Sequence, residues 1–349
     1  MKSILGAILL VSIVITCIYL ALTMVAESNN IGTGSYSVWQ AMEFVMLNWP
    51  ANFNLILPIA SLLGCIFALG GLANHGELLI IRASGVSIRR IMLHVTYAAI
   101  PIVLLGAFLG SYLAPTLRHT AYIKRMLDKH KEALLFTKKS IWLKNSNNFV
   151  LIHQNVSPKE LNHLQVFVIK NNRLEALYKI KSAHYINKQW YLEDIDMLSI
   201  GDKKIVKHTY KSMIWKHLVT PQLLKVIAED PGNLTLFALY RYIRYGVQNK
   251  LNTAGYSIDF WQKIFSPISI LISMLLAVPF VFGSLRSTSF SKRLLIGIFL
   301  GGTLFIMQQF CKPFAVIYNI PPILGAMLPC LIFSTILLLL LLWQNKTEN

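Results

Sequence analysis

The residue types that carry out catalysis and bind metals are present in this chain, but their spacing suits neither task. The 349 residues include 15 acidic residues, 9 histidines and 4 cysteines. No His-Glu pair has the spacing of a zinc-binding helix, no Gly-x-Ser-x-Gly elbow occurs, and no glycine-rich loop ends in Gly-Lys-Ser or Gly-Lys-Thr. We therefore expect no catalytic residue, no metal site, no cofactor and no ATP hydrolysis by this chain.

The segment 74–91 is the stretch most suited to contact another molecule. Glu77 opens a helical pattern, and Arg82, Arg89 and Arg90 follow it between two long apolar runs. Because the segment is too short to fold alone, we expect a cytoplasmic loop that lies on the membrane surface or is pushed by another protein. The simpler interpretation of Glu77 is that its carboxylate stabilises the start of a helix.

The composition predicts an integral membrane protein. Hydrophobic residues make up 55% of the chain and charged residues 14%, which is too apolar for an ordinary soluble protein. The formal net charge of +18 is spread along the chain and forms no compact basic patch or nucleic-acid module. We therefore expect membrane lipid as a partner and no nucleic acid.

Six apolar runs are long enough to cross a bilayer as helices, which requires about 20 residues. The first run is longer than the apolar part of a cleaved signal peptide. The short basic loops 74–91 and 285–293 fall on the same side, which predicts that they and both chain ends are cytoplasmic. The runs are residues 4–26, 53–73, 91–114, 262–284, 294–311 and 321–343.

Residues 115–260 differ in character and form an inserted domain between the flanking regions 1–114 and 261–349. After a polar helical segment, 118–139, short stretches alternate apolar with polar residues between turns rich in Asn, Lys, Asp and Gly. This pattern is typical of an all-β domain, either a sandwich, a roll or an open barrel. A long translocated domain is exempt from the positive-inside rule, so its basic residues are compatible with a location outside the cytoplasm. The predicted strands are 148–156, 164–170, 174–186, 189–200 and 205–219.

Two smaller features complete the pattern. Residues 236–247 interleave tyrosines with arginines, which predicts an amphipathic helix at the outer membrane interface, with packing on the β domain as the alternative. The apolar runs contain few ionisable side chains apart from Lys263 and Lys312 near their ends. A carrier driven by protons or ions needs an intramembrane carboxylate or histidine relay, so this class is disfavoured.

Five segments together resemble the LptF/LptG family of lipopolysaccharide export permeases, and the resemblance covers nearly the whole chain. It implies an α-helical membrane protein with six transmembrane helices and an inserted periplasmic all-β domain of β-jellyroll type. It also implies a permease subunit of an ABC transporter in the inner membrane, which extracts lipopolysaccharide and passes it to a periplasmic bridge toward the outer membrane. The segments are 72–91 (LANHGELLIIRASGVSIRRI), 140–152 (SIWLKNSNNFVLI), 260–267 (FWQKIFSP), 281–287 (VFGSLRS) and 316–329 (VIYNIPPILGAMLP).

The resemblance also implies the partners. In the family, two permeases pair with each other, sit on a dimer of the ATPase LptB and deliver the lipid toward LptC. Residues 140–152 and 320–329 favour the LptG type of subunit, for which LptF is the second permease. Identity as the sister LptF type remains the alternative.

The same resemblance gives the 74–91 loop a role. In the family this loop is the coupling helix, and its acidic residue docks in a groove of LptB. That residue maps to Glu77, with Arg82, Ser84 and Gly85 further along the loop. We expect Glu77 to set the register of docking and to transmit motion more than to supply affinity.

The implied substrate, a lipid with headgroup phosphates, would need a basic rim at the outer interface. Arg118, Lys124 and Arg125 follow the third apolar run, where such a rim would lie, and their side chains suit phosphate. The alternative is a solvated helix face. The chain departs from the family pattern after the first run, where residues 23–36 contain Glu27 and no Lys or Arg. The rival function for the whole chain is a membrane-anchored scaffold that moves no lipid.

Overall fold

The computed structural model describes two compact units. One unit contains Met1–Arg125 and Ala254–Asn349, and the other contains Met126–Thr253. The described residues are 1–129, 141–145, 148–157, 159–170, 173–187, 189–200, 205–215, 221, 224, 231–282 and 290–348.

The first unit is helical and contains six helices that are long and apolar enough to cross a membrane. This confirms the predicted number of spans among the described residues. Part of the second predicted basic loop, including Arg286, lies outside the described residues. The helices of this unit are α1 (Lys2–Ser28), α2 (Val38–Asn74), α3 (Glu77–Ala83), α4 (Ile88–Phe108), α5 (Ala114–Lys129), α7 (Ala254–Phe282), α8 (Phe290–Ile317) and α9 (Pro322–Glu348).

Helix α2 begins well before the apolar run that predicts it. Its start is fixed by a capping box, in which the Ser37 side chain accepts a backbone N–H of the first turn and the Gln40 side chain accepts the N–H of Ser37. Pro50 and Pro58 both lie inside the helix. Neighbouring helices compensate for such prolines in membrane proteins, so one helix of 37 residues forms where the apolar pattern alone predicts a shorter one.

The third span also continues beyond its apolar run. Helix α4 passes through a π-helical turn, Leu109–Leu113, directly into α5. The polar segment that follows the apolar run is therefore the continuation of a membrane helix as far as Lys129. Residues 130–139, the rest of that predicted segment, lie outside the described residues.

Helix α2 lies at the centre of the helical unit. In the most apolar 18-residue stretch of α2, 61% of the residues are buried, compared with 22% in the corresponding stretches of α1 and α8. Leu57, Leu62 and Ile66 of α2 are almost completely buried. The peripheral helices instead expose large apolar side chains such as Leu22 and Phe310, as expected of surfaces that face lipid or another membrane protein.

The second unit contains one antiparallel sheet in which the strands follow their order in the chain. The predicted all-β insertion is therefore confirmed for the described residues. The first strand was not predicted, because five residues are too few to show alternation against the background. The strands are β1 (Ile141–Asn145), β2 (Asn148–Ser157), β3 (Glu160–Lys170), β4 (Arg173–Ile186), β5 (Gln189–Ile200) and β6 (Ile205–Trp215).

One row of residues interrupts the pairing across five neighbouring strands. The ladder skips the pairs that would join His153, His163, Lys181, Asp194 and Lys211 in turn, while the rows on both sides are paired. His163 and Asp194 have left-handed backbone angles, with φ of 53° and 52°. Histidine and aspartate are among the residues that tolerate this region best.

The interrupted row shifts the alternation of buried side chains. Within one strand buried residues normally recur every two positions. Across the row they recur after three, as at Leu161 and Leu164 in β3, and at Leu192 and Ile195 in β5. In β3, β4 and β5 one extra outward residue therefore lies at the same level, and the register is kept because these residues stand opposite one another.

Helix α6 (Leu236–Gln248) packs on this sheet. The Tyr245 hydroxyl donates a hydrogen bond of 2.6 Å to the carbonyl of Lys144, and the ring joins the apolar cluster of the sheet. Burial is the main reason that the pKa of Tyr245 rises to about 12. The alternative interpretation of residues 236–247, packing on the β domain, is thus the one that the contacts support.

Replacing Tyr245 by phenylalanine tests this anchor. The variant Tyr245→Phe keeps the ring but leaves the Lys144 carbonyl without its donor, so we expect a loss of about 1 kcal/mol in the stability of the β unit. The measurement is urea unfolding of the detergent-solubilised chain, followed by tryptophan fluorescence. Tyr210→Phe, an exposed tyrosine of β6 in the same unit, should leave the midpoint unchanged. Equal midpoints for Tyr245→Phe and wild type would refute the anchor.

Candidate functional site

The residues singled out by the sequence lie at opposite ends of the helical unit. Helix α1 runs into α2 through residues 29–37, and we call this the turn end. Helix α2 runs into α4 through residues 75–87, and we call this the loop end. Helix α4 starts at the loop end and continues through the π turn into α5, so the segment with Arg118 and Arg125 lies at the turn end.

At the loop end, Glu77 opens the short helix α3. Gly76 precedes it with φ of 73°, a backbone conformation that favours glycine and that turns the chain sharply out of α2. The Glu77 side chain is exposed and forms no ion pair with the described residues. Its carboxylate stands at the helix start, where it also interacts favourably with the helix dipole.

Helix α3 is anchored on one side and exposed on the other. Leu78 is buried in the main apolar core, whereas Ile80 is 69% exposed. Ile81 is also exposed, at 37%. An exposed acid beside exposed isoleucines is suited to a protein contact, because contact of the two isoleucine side chains with water is unfavourable and a partner surface would remove it.

The other three loop residues predicted for the coupling site take different positions. Arg82 lies over the ring of Phe282, with its guanidinium carbon 5.9 Å from the ring centre. The Ser84 hydroxyl donates to the carbonyl of Ile81 at 2.8 Å, and Gly85 has φ of 85°. Ser84 and Gly85 thus end the helix, and Arg82 connects it to the end of α7.

At the turn end, Arg125 is paired with a buried acid. Its Nε lies 2.7 Å from Oε1 of Glu27, an ion pair outside the angular range of a hydrogen bond. The Tyr36 hydroxyl and the Asn30 amide donate to the same oxygen at 2.9 and 3.1 Å. The guanidinium also lies over the ring of Phe44, at 4.6 Å. Glu27 therefore has three partners that fix it.

Lys124 and Arg118 lie on the same helix as Arg125 but differ in their contacts. Lys124 forms an ion pair with Glu43 of α2, and both side chains are about half exposed. The Arg118 guanidinium carbon is 5.8 Å from the ring of Tyr122. The Nε of Arg118 is buried and has no hydrogen-bond partner among the described residues. Of the three predicted rim residues, Arg118 has the most donor capacity left for an anion.

The acidic partners at the turn end were not recognised from the sequence. Glu27 and Glu43 pair with residues more than 80 positions away, and such a pairing has no local signal in the sequence. A further ion pair, between Lys312 and Asp259 at 2.7 Å, joins α8 to α7. In the described part of the chain no cluster of three or more His, Cys, Asp or Glu residues could hold a metal.

The buried pair at the turn end makes a stability prediction. Arg125→Ala leaves the Glu27 carboxylate buried without its cation, and we expect a loss of about 3 kcal/mol. The double variant Glu27→Gln/Arg125→Ala removes the unpaired charge as well and should recover most of this loss. The measurement is the thermal midpoint of the detergent-solubilised chain. Lys124→Ala, which breaks an exposed pair, is the matched control. A single variant no less stable than the double variant would contradict the expected coupling.

Comparison with known proteins covers nearly the whole chain. The family model for the lipopolysaccharide export system permease LptF/LptG matches residues 1–343. The chain is 33% identical over 318 residues to the lipopolysaccharide export system permease protein LptG of Escherichia coli strain K12, an alignment that covers 90% of this chain and 88% of that protein. It is 29% identical over 337 residues to the protein of the same name from Haemophilus influenzae, covering 95% and 94%. The chain belongs to the LptF/LptG family of lipopolysaccharide export permeases.

Proposed function

We propose that this chain is the membrane half of an ABC transporter, in which a separate ATPase dimer moves the 74–91 loop and the helical unit extracts lipopolysaccharide. Membership of the family gives the coarser statement. The chain is a multi-pass inner-membrane permease subunit for lipopolysaccharide export and is not itself an enzyme. The observation that carries the finer proposal is helix α3, which is held by Leu78 and presents Glu77 outward.

The geometry of α3 supports a role in force transmission. The helix has only seven residues and is bounded by two tight turns, so it cannot move far without moving α2 or α4. Its buried Leu78 belongs to the same core cluster as Leu69 of α2 and Ile91 of α4. A push on the exposed face therefore reaches two membrane helices. We assign the ATPase contact to an LptB dimer, with Glu77, Arg82, Ser84 and Gly85 as the coupling residues.

The topology supports a periplasmic location for the β unit. Two membrane crossings separate the amino terminus from the 74–91 loop, and a third crossing separates that loop from the sheet. If the loop meets an ATPase in the cytoplasm, the sheet lies on the opposite side of the membrane. There it would deliver lipid toward LptC and the periplasmic bridge.

The peripheral helices support pairing with a second permease. Helices α1 and α8 bury little of their apolar surface within this chain, and a lipid with many acyl chains needs a cavity wider than one such bundle encloses. The two relatives compared above are LptG proteins, so we assign the second permease to the LptF type. Arg118, Lys124 and Arg125 form the basic rim for headgroup phosphates, with Arg118 as its most available donor.

Reversing the charge of Glu77 tests the coupling. In the complex reconstituted with its ATPase, we expect Glu77→Lys to lower ATP-dependent lipopolysaccharide release about tenfold or more, because a like charge would then face the docking groove. ATP hydrolysis should fall much less, so the two rates separate.

Glu175→Lys provides the matched control, since it makes the same charge reversal on an exposed acid of the β unit. Membrane insertion and co-purification with the ATPase are checked for both variants. Lipid release at the wild-type rate with Glu77→Lys would refute the coupling role.

Photo-crosslinking distinguishes a lipid-moving permease from a scaffold. We expect a photoreactive residue at position 118 to form an adduct with lipopolysaccharide whose yield changes on addition of ATP. The same probe at Leu93, which is exposed on α4 toward the loop end, should give no such ATP-dependent adduct. A scaffold would show no ATP dependence at either position, and that result would overturn the proposed function.

A further inference from the structure

The π-helical turn in the third span leaves one backbone carbonyl without a partner in its own helix. The N–H of Ala114 donates to the carbonyl of Leu109, five residues earlier. In the same pattern the carbonyl of Gly110 would accept from Pro115, which has no N–H. An unpaired carbonyl within a membrane helix is unfavourable, so it requires a donor from elsewhere.

That donor is Lys263 of α7. Its Nζ lies 3.0 Å from the carbonyl oxygen of Gly110. Residue 110 is also where α2 packs closely, since a Cβ added to this glycine would lie 2.7 Å from the side-chain nitrogen of Asn54. Three membrane helices therefore meet at one peptide group.

The ordinary α-helical arrangement of the same residues would leave a different carbonyl unpaired. There, Gly110 would accept from Ala114, but the carbonyl of Ser111 would face Pro115 and its ring. The widened turn thus leaves the Gly110 carbonyl without a backbone donor, and the α-helical arrangement leaves the Ser111 carbonyl without one. Lys263 reaches Gly110, and so it favours the widened turn.

The choice between the two arrangements determines how α5 is rotated about its own axis, and so which of its side chains face α1 and α2. Each α-helical residue turns the chain by about 100° and advances it about 1.5 Å. A π turn accommodates one extra residue without that rotation. If the turn relaxed to α-helix, every residue of α5 would rotate by about 100° around the helix axis relative to α4. The contacts of Arg125 with Glu27 and of Tyr122 with Phe44 would then be lost together.

We propose that Lys263 is a positioning residue: its bond to Gly110 holds the widened turn and thereby fixes the side of α5 on which Arg118, Lys124 and Arg125 stand. The consequence for phosphate binding rests on the proposed function, but the effect on the helix does not. Because Lys263 belongs to α7, a displacement of α7 against α4 would release the turn and rotate the basic side chains as one group.

The rotation of α5 about its own axis can be measured without lipid or nucleotide. The rings of Phe44 and Tyr122 are 5.5 Å apart, so the cysteine pair Phe44→Cys/Tyr122→Cys should cross-link efficiently with a short bismaleimide in the full chain. Adding Lys263→Met should lower the cross-linking yield about fivefold or more, because the helical rotation separates the two positions. Lys263→Arg keeps a donor and should retain most of the yield. The double variant Asp259→Asn/Lys312→Met, which removes a nearby lysine together with the buried acid that it pairs with, is the matched control and should retain the yield.

A deletion provides the second test. Removing Ser111 takes away the extra residue that the widened turn accommodates. An ordinary α-helical turn then gives α5 the same rotation about its axis that it has in the present structure. The deletion should restore cross-linking in the Lys263→Met background. If the Lys263→Met variant alone does not insert into the membrane, the cross-linking yield of the deletion variant tests the proposal in its place. Wild-type yield with Lys263→Met, or no recovery on deletion of Ser111, would overturn the proposal. Either result leaves the lipid adduct at position 118 as an independent test of the transport function.

Discussion

A polypeptide inside hydrocarbon has to satisfy the hydrogen bonds of every peptide group, and this requirement shapes the helical unit. Most of the membrane prolines, such as Pro58 and Pro101, lie within otherwise continuous helices. Pro115 has a larger effect, because it follows a glycine-containing turn at the end of an apolar run. The peptide group that it leaves unpaired is served by a side chain from a helix that lies 153 positions later in the chain. A local defect in one helix thus becomes a tertiary contact between distant parts of the sequence.

The basic side chains at the turn end are partly neutralised by acidic partners. Two of the three predicted rim residues, Lys124 and Arg125, are paired with the carboxylates of Glu43 and Glu27. Together with Arg118, these side chains carry a net charge of about +1. Aromatic rings lie under two of the guanidinium groups. In the proposed function this surface has to release an anionic lipid as well as bind it, and partial neutralisation would limit the strength of binding. The buried Glu27 also orders the end of α1, since Tyr36 and Asn30 hold it in place.

The sequence predicts some levels of this structure much better than others. Long apolar runs and strict alternation predict the six spans and five of the strands, because these patterns are local and repeat many times. Helix ends are harder, since the capping box at Ser37 and Gln40 extends α2 by more than ten residues beyond its apolar run. Long-range pairs such as Glu27 with Arg125 have no local pattern, although an acid in an otherwise uncharged segment is an indication. The π turn at Leu109–Leu113 could have been suspected from Gly110 and Pro115, but its partner Lys263 could not.

The interrupted row of the β sheet has a consequence for how this unit can change during evolution. Strands β3, β4 and β5 change their inward and outward faces at the level of this row. A strand that lost its extra residue would present polar side chains to the core over half of its length, or would slip against both neighbours. The loss or gain of one residue at this level is therefore tolerated only if it occurs in β3, β4 and β5 together. Natural variants of this domain should differ in length at the hairpin turns and keep the number of residues between each turn and the row constant.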